Sequence, residues 1–214
     1  MNDIVIIGAG GFAREVAWLI KDINTQDNNW NFLGYIESDR SRIGQSCGDA
    51  FVIETDEWLL RQEKELYLVI GIGNPQIIDR IRHKLVQNKY LHFTNLIHPG
   101  VLSDRNRCQL GVGNIICAGN ILTTDIKIGS FNILNLASTY GHDVTIGDCC
   151  VFNPGVNLSG GVTVGDRCLL GTGSLVLETL TLGNDVIVGG GAVVTKNVDP
   201  GLCVVGIPAK PLVR

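Results

Sequence analysis

A six-residue repeat of apolar side chains runs through residues 110–194 and constrains the fold more than any other feature. A second register, four residues further on, holds mostly small or aliphatic side chains, and an aliphatic-plus-glycine pair returns every eighteen residues. Neither a helical period nor a two-residue alternation reproduces this pattern. It predicts a parallel β-helix with three short strands per coil and roughly five coils. The fifteen repeat positions are Leu110, Ile116, Leu122, Ile128, Leu134, Tyr140, Ile146, Phe152, Leu158, Val164, Leu170, Val176, Leu182, Val188 and Val194.

Each hexapeptide of this repeat is expected to form one flat side of a prism, followed by a turn at a residue that tolerates positive φ. Like side chains then stack inside at about 4.8 Å, so five coils give a rod on the order of 24 Å tall. A single coil cannot bury its own interior. The stability of such a rod therefore depends on stacking between coils.

The composition changes near residue 100. Ten of the thirteen aromatic residues lie before that point, and eighteen of the twenty-seven glycines lie after it. Two domains with different building rules explain this change. We predict an α/β domain over residues 1–96, Rossmann-like with a small parallel sheet, and an all-β domain over residues 97–214 that ends in a short tail.

Alternating strands and helices are predicted in the first domain. Strands are expected at 3–7, 31–36, 50–53, 65–70 and 92–96, with helices at 12–22, 56–62 and 75–88. The turn at residues 8–11 joins a buried strand to a helix and would present backbone N–H groups to an anion. It follows the dinucleotide fingerprint through Gly8, Gly10 and Ala13, and Glu37 stands near the position of a ribose-binding carboxylate. A dinucleotide site, a mononucleotide or nucleotide-sugar site and a tight turn without ligand all remain open. The nucleotide-sugar site is preferred, because only half of the doubly wound fold is present.

Charge and composition exclude several classes of function. The net charge of −4 argues against nucleic acid as a partner. The N-terminus has no basic signal region, and no apolar run reaches the roughly 18 residues of a membrane span. Several cysteines fall in the inward register of the repeat, where a thiol acts as a small hydrophobic group. We therefore expect reduced thiols and a cytoplasmic protein.

His142 is the strongest candidate for a catalytic residue. It occupies a predicted corner of the middle coil, between Gly141 and Asp143, and would project outward. An outward imidazole beside a carboxylate can act as a general base, although a surface histidine often has no role. A zinc hydratase on this type of rod needs three histidines, and the repeat region contains one, so no metal is expected.

A smooth groove is predicted along one edge of the rod. Residues 153–173 and 189–192 are rich in glycine and align at intervals of eighteen. Backbone amides without bulky side chains suit a thin ligand such as a pantetheine arm. Turn glycines with no ligand are the alternative explanation.

The order of motifs along the whole chain resembles one family of enzymes. IIGAGGFARE, NLIHPGV, the hexapeptide coils, YGHDVTIGD, GGGAVV and VGIPAK together look like the sialic acid O-acetyltransferase and sugar-nucleotide N-acetyltransferase group. That group includes the bacillosamine-pathway and perosamine N-acetyltransferases. The resemblance implies a left-handed β-helix, which is an exception to the usual right-handed crossover.

The resemblance also implies roles for particular residues. His142 would be the catalytic base and Asp143 the acid that orients it. Acetyl-CoA would lie between adjacent rods of a homotrimer and touch Thr172 and Gly190. The sugar nucleotide would be held through Gly10, Gly11, Phe12, Glu37, Ser38 and Gly73. This chain has Phe12 and Val151 where many members have histidine, and Glu37-Ser38 where they have an acidic pair.

The function expected from these features is direct transfer of acetyl from acetyl-CoA to the amine of a nucleotide-linked amino sugar, in bacterial surface glycan synthesis. One alternative is an O-acetyltransferase acting on a sugar hydroxyl such as that of sialic acid. A second alternative is a non-catalytic trimeric scaffold that binds nucleotide.

Overall fold

The structure is a computed structural model that describes residues 1–212, so the predicted end of the second domain at Arg214 lies outside the described residues. A small α/β domain comes first, and a three-sided rod of stacked parallel strands follows it. The fold class predicted from the sequence is confirmed, including the left-handed β-helix.

The N-terminal domain is a six-stranded sheet in the order β3-β4-β2-β1-β5-β6, in which only the β3–β4 pair is antiparallel. In this order β2 lies on one side of β1 and β5 lies on its other side. The carboxyl end of β1 is therefore the switch point where open α/β sheets bind ligands. The elements are β1 (Asn2–Ile7), α1 (Gly11–Gln26), β2 (Trp30–Ile36), a 3₁₀ turn (Arg40–Arg42), β3 (Ser46–Cys47), β4 (Ala50–Glu54), α2 (Asp56–Leu60), β5 (Leu66–Ile70), α3 (Pro75–Leu85) and β6 (Leu91–Phe93).

Helix α1 runs from Gly11 to Gln26 and so extends four residues beyond its predicted end at residue 22. Two further helix ends differ from the predictions for a tertiary reason. Helix α3 ends at Leu85 rather than residue 88, because the Asn88 amide donates instead to the carbonyls of Leu59 and Gln62 at 3.1 Å. The same amide lies 3.4 Å from the Leu60 carbonyl, so it bonds to the last two carbonyls of α2, which ends at Leu60 rather than residue 62.

The predicted strand at 92–96 is wrong, since it is two strands. Strand β6 ends at Phe93, and Leu96 begins a strand that pairs with Ile115–Ile116 of the rod. The Leu96 N–H donates to the Asn114 carbonyl at 2.9 Å. The hydrogen bonding of the rod thus begins one residue before the boundary expected between the domains.

Three parallel sheets form the sides of the rod. The docked sheet contains Leu96–Ile97, Ile115–Ile116, Ile133–Leu134, Val151–Phe152, Leu169–Leu170, Ile187–Val188, Cys203–Val205 and Lys210–Pro211, the last strand being antiparallel. The middle sheet contains Leu102–Ser103, Ile121–Leu122, Thr139–Tyr140, Asn157–Leu158, Leu175–Val176 and Val193–Val194. The polar sheet contains Cys108–Leu110, Ile126–Ile128, Thr145–Ile146, Thr163–Val164 and Thr181–Leu182.

The interior of the rod follows the predicted registers. Of the fifteen repeat positions, all but the partly buried Leu110 are buried. The second register places asparagine in the first coils, where the buried Asn114 and Asn132 form a ladder. The Asn132 side chain donates to the Gly147 carbonyl at 2.9 Å and accepts from the Cys150 N–H at 2.8 Å. Because buried backbone groups need partners, these amides complete the hydrogen bonding of the corners.

The N-terminal domain packs on the docked sheet. The outward side chains Ile115, Ile133 and Val151 of that sheet are buried in one apolar cluster with the N-terminal core. Val151 therefore lies inside the domain junction. Of the helices in residues 1–212, none has the length and apolar character needed to cross a bilayer.

Candidate active site

Corners of the rod fall into three columns with a spacing of eighteen residues, which is the spacing of the strand pairing. The histidine corner follows the middle sheet and contains Thr124, His142, Gly160 and Glu178. The groove corner precedes the middle sheet and contains Ala118, Leu136, Pro154, Thr172 and Gly190. The domain corner precedes the docked sheet and contains Ser130, Asp148, Asp166 and Asn184.

His142 projects outward from its corner, as predicted. Its side chain is 67% exposed, and Nδ1 lies 2.8 Å from Oδ2 of Asp143. Asp143 has φ of 60° and so forms the left-handed turn of the corner. The carboxylate accepts from Nδ1–H, which leaves the Nε2 lone pair available for a substrate proton. The pair has the geometry of a general base and its orienting acid.

Gly160 supports the imidazole from the next coil. A Cβ atom built on Gly160 would lie 2.5 Å from Nε2 of His142, so only glycine leaves room for the ring in this orientation. The Gly161 N–H also donates to the His142 carbonyl at 2.8 Å. The sequence reasoning missed Gly160, although its position eighteen residues after His142 was available as a signal.

Thr172 and Gly190 are neighbours on the groove corner. A Cβ on Gly190 would lie 3.3 Å from the Thr172 carbonyl, and both residues are exposed. Neither the Thr172 N–H nor the Gly190 N–H donates to an atom within residues 1–212. The corner thus presents two backbone amides without bulky side chains and without an acceptor among residues 1–212. The predicted groove run of residues 153–173 does not follow one edge, because it passes around a full coil: Pro154 and Thr172 lie on this corner, but Gly160 lies on the histidine corner and Asp166 on the domain corner.

The histidine corner and the groove corner are different edges of the same rod. They lie on opposite sides of the middle sheet, because Leu136 precedes the strand Thr139–Tyr140 and His142 follows it. Within one chain, His142 is therefore not brought together with Thr172 and Gly190.

The N-terminal domain has a crevice of about 400 Å³ at the carboxyl ends of β1 and β2. Glu37 and Ser38 line it, together with Gly8 and the α3 residues Arg80 and Lys84. A Cβ on Gly8 would lie 2.7 Å from the side chain of Ile72, so the turns that follow β1 and β5 meet at this edge. The structure thereby brings the predicted turn at residues 8–11 next to the turn that follows β5.

The remaining predicted substrate residues do not line this crevice, but they follow closely in the chain on Gly8 and Ile72, which do. Gly10 is the N-cap of α1 and Gly11 its first residue, and both are exposed. Gly73 is exposed in the turn after β5. Phe12 is half-buried against the N-terminal core. The start of α1 therefore offers unoccupied N–H groups and a positive helix end to an anion.

Glu37 is oriented by a residue that sequence reasoning missed. Its Oε2 accepts from Arg42 at 2.7 Å, and its Oε1 accepts from the Ser38 N–H at 2.9 Å. Arg42 also donates to the Ala9 carbonyl at 3.3 Å and so ties Glu37 to the Gly-rich turn. Oε1 also accepts from the Ser38 hydroxyl at 3.3 Å, so it is Oε2 that keeps a lone pair for a ligand hydroxyl. No sequence pattern marked Arg42, because the bond depends on the 3₁₀ turn after β2.

The cysteines offer no nucleophile at these sites. Burial raises the pKa of the Cys149 thiol to about 12, and Cys150 and Cys168 face the interior of the rod. In the described part of the chain, no three His, Cys, Asp or Glu side chains gather closely enough to hold a metal ion.

A three-sided left-handed rod with an outward His–Asp pair, joined to a small α/β domain, defines the hexapeptide-repeat acyltransferase class. Residues 3–87 match the PglD N-terminal domain model. No curated protein matches the chain significantly in sequence. Solved structures match over the whole length, and the resemblance to sugar N-acetyltransferases is confirmed.

Three structures illustrate this similarity. A histidine-to-asparagine variant of perosamine N-acetyltransferase from Caulobacter crescentus, seen with CoA and GDP-perosamine, has a TM-score of 0.91 and 27% identity, over 100% of this chain and 98% of that chain. The acetyltransferase domain of PglB from Neisseria gonorrhoeae has a TM-score of 0.88 and 27% identity, over 99% and 100% of the two chains. WeeI from Acinetobacter baumannii has a TM-score of 0.85 and 29% identity, over 99% and 100%.

Proposed function

We propose that this chain transfers acetyl from acetyl-CoA to the amine of a nucleotide-linked amino sugar. One observation carries the proposal: the exposed His142–Asp143 pair stands on a chain that matches, over its whole length, a perosamine N-acetyltransferase seen with CoA and GDP-perosamine. The PglB domain has also been seen with acetyl coenzyme A. Surface glycan synthesis in bacteria is the setting that such a product suits.

Direct transfer is the mechanism that the His142 geometry supports. The acceptor nitrogen attacks the thioester carbonyl while Nε2 of His142 removes its proton, and Asp143 stabilises the imidazolium. The tetrahedral intermediate then expels the CoA sulfur, which takes the proton from His142. Outward backbone N–H groups on the corners are suited to stabilise the oxyanion. A cysteine acyl-enzyme is disfavoured, because the cysteines of the rod core face inward or are buried.

The two ligands would occupy the features described above. Acetyl-CoA would follow the groove corner, with Thr172 and Gly190 offering their amides to the pantetheine arm. The nucleotide would enter the crevice beside Glu37 and Ser38. Its diphosphate would face Gly10 and Gly11 at the start of α1, with Phe12 and Gly73 at the rim.

A homotrimer would complete the site. Because His142 and Thr172 lie on opposite edges of the middle sheet, a base from one copy has to meet CoA on a neighbouring copy. The outward positions of that sheet, Ile121, Thr139, Asn157, Leu175 and Val193, carry fewer exposed polar groups than those of the polar sheet. We further propose a cytoplasmic location, in keeping with seven cysteines that form no disulfide.

The experiment that tests the proposal measures CoA release with acetyl-CoA and a panel of nucleotide sugars bearing amines or hydroxyls. We expect release only with amine acceptors. His142→Ala should lower kcat by roughly 10²–10⁴. Asp143→Asn should lower it less, by about tenfold. Asparagine is the matched replacement because it tolerates the positive φ of this corner.

Three results would contradict the assignment. Transfer to hydroxyls alone would support an O-acetyltransferase. Nucleotide binding without CoA release from any acceptor would support a scaffold. Near wild-type turnover in the His142→Ala variant would remove the histidine from the mechanism.

A further inference from the structure

One exposed stripe of α1 leads from the Gly-rich turn towards the rod. Gly11, Glu15 and Trp18 are spaced by four and three residues, so they share one face of the helix. Glu15 lies about 6 Å along the helix axis from Gly11, and Trp18 about 10 Å. A sugar attached to a diphosphate at Gly11 would therefore lie over Glu15 and Trp18.

Glu15 and Trp18 line a narrow cleft between α1 and the groove corner, whose free volume is only about 10 Å³, so a sugar would lie over its solvent-facing rim rather than inside it. The opposite wall is formed by Cys117, Ala118 and Leu136 of the rod. Burial, and to a lesser degree the negative charge of Glu15, raise the pKa of the Cys117 thiol to about 12, which agrees with a carboxylate close to the rod surface. The stripe thus ends beside the edge that the proposed function assigns to acetyl-CoA.

Glu15 has no ionic partner within residues 1–212. The other carboxylate of this cleft, Asp22, faces Nε2 of His98 at 3.3 Å, and Lys21 pairs with Asp49. Glu15 forms neither a salt bridge nor a side-chain hydrogen bond with any described residue. A carboxylate that is open to solvent beside an apolar wall is suited to bind an ammonium group.

Trp18 is a large apolar side chain that is 54% exposed. It separates the cleft from a second hollow of about 330 Å³ lined by Lys21 and Tyr35. An indole face that is open in this way can pack against the C–H face of a sugar ring and can attract a nearby cation.

We propose that Glu15 and Trp18 form the acceptor-sugar subsite, in which Glu15 pairs with the ammonium of the amino sugar and Trp18 packs on its ring. This inference rests on the proposed function and deepens it, since it makes selection of an amine over a hydroxyl a property of Glu15. The ammonium gives one proton to water before the attack, and His142 takes the second proton during it.

Calorimetric titration of the full chain tests the subsite independently of turnover. The probes are a 4-amino-4,6-dideoxyhexose carried on GDP, UDP or dTDP, each paired with its 4-hydroxy counterpart. Wild type should bind the amino member of one pair about three- to tenfold more tightly. Glu15→Gln should remove that preference and leave the affinity for the hydroxy member and for the free nucleoside diphosphate unchanged. Glu57→Gln, an exposed carboxylate on α2, is the matched control and should keep the preference.

Trp18 has a different expected signature. Trp18→Ala should weaken both members of the pair by about threefold to tenfold, because ring packing does not depend on the amine. Trp18→Phe should restore part of the affinity. The affinity for the free nucleoside diphosphate should not change in either variant.

The inference is overturned if wild type shows no preference in any pair, or if Glu15→Gln retains the preference. It is also overturned if Glu57→Gln loses the preference to the same extent. A wild-type protein that prefers the amino ligand but releases no CoA supports the subsite and contradicts the proposed acetyl transfer. The subsite and the proposed acetyl transfer can therefore be contradicted independently of each other.

Discussion

Gly160 has no side chain, and its lack of a Cβ determines how the imidazole of His142 can be oriented. The His142 ring lies over its Cα, and the hydrogen bond from Asp143 sets the ring angle from the other side. The orientation of Nε2 thus depends on two contacts. One of these contacts comes from the next coil, which the regular stacking of the rod supplies.

Gly160→Ala is expected to lower kcat by about tenfold or more, because a displaced imidazole no longer meets the acceptor proton. Gly160 lies outside the positive-φ positions, so the backbone should tolerate alanine with little loss of stability. Steady-state kinetics and thermal unfolding check both expectations. Ser159→Ala, one residue earlier, is the control and should behave as wild type. Wild-type kcat in Gly160→Ala would show that the ring can move without cost.

At the level of single residues, the sequence identified candidate site residues but not the side chains that contact them. His142 and Asp143 could be assigned because they are adjacent in the chain and fall at a corner of the repeat. Arg42 could not be assigned to Glu37, since the four intervening residues reach that geometry only through a 3₁₀ turn.

Helix α3 connects the nucleotide crevice to the rod. Arg80 on this helix lines the crevice, while Arg82 bonds to Asp79 at 2.8 Å and to Asp148 of the rod at 2.9 Å. The Arg82 guanidinium also lies 5.6 Å from the ring centre of Phe131. One side chain therefore holds the helix that forms the crevice wall against the domain corner.

Arg82→Met should lower the free energy of unfolding by about 1–2 kcal/mol at pH 7, a discounted value because the ion pairs are only partly buried. Burial alone would raise the pKa of Asp79, but the hydrogen bond and charge of Arg82 outweigh it, so the pKa of that carboxyl is lowered. A lowered pKa stabilises the folded state above the unfolded pKa of about 3.9 and ceases to do so as the pH falls through the folded value. The difference between wild type and variant should therefore shrink below about pH 4.

Urea unfolding at pH 7 and at several acidic pH values checks this prediction. Lys89→Met, which removes a surface cation over the Tyr90 ring, is the control and should show no such pH-dependent difference. A stability difference for Arg82→Met that stays constant through pH 3 would mean that packing, rather than the Asp79 charge, is what the arginine contributes.

The sequence predicted the interior of the rod but not the contacts between the two domains, and the reason is physical. The interior of the rod repeats every eighteen residues, so the sequence determines which side chains face inward. The Arg82–Asp148 bond joins residues 66 positions apart in domains with different periods. No periodicity relates them, and only the docking of the N-terminal sheet on the rod brings them together.

In the whole molecule, the proposed general base and the proposed acetyl-CoA groove lie on different edges of the rod. His142 lies on one edge of the middle sheet and the Thr172–Gly190 pair on the other, which a single rod cannot reconcile. In a closed ring of three copies, the histidine corner of each copy can face the groove corner of the next. Each active site would then take its base from one chain and its CoA groove from another.

Mixed trimers test this arrangement. His142→Ala lacks the base, and Gly190→Trp fills the groove, so each variant alone should be nearly inactive. If the sites are shared, an equimolar mixture of the two variants, coexpressed or refolded together, should recover about a quarter of wild-type CoA release. The reason is that about a quarter of the interfaces in such mixed trimers join an intact histidine corner to an intact groove corner. If each site lies within one chain, no mixture recovers activity. Size-exclusion chromatography with light scattering on each variant confirms that both still assemble, and a monomer in wild type would contradict the shared site directly.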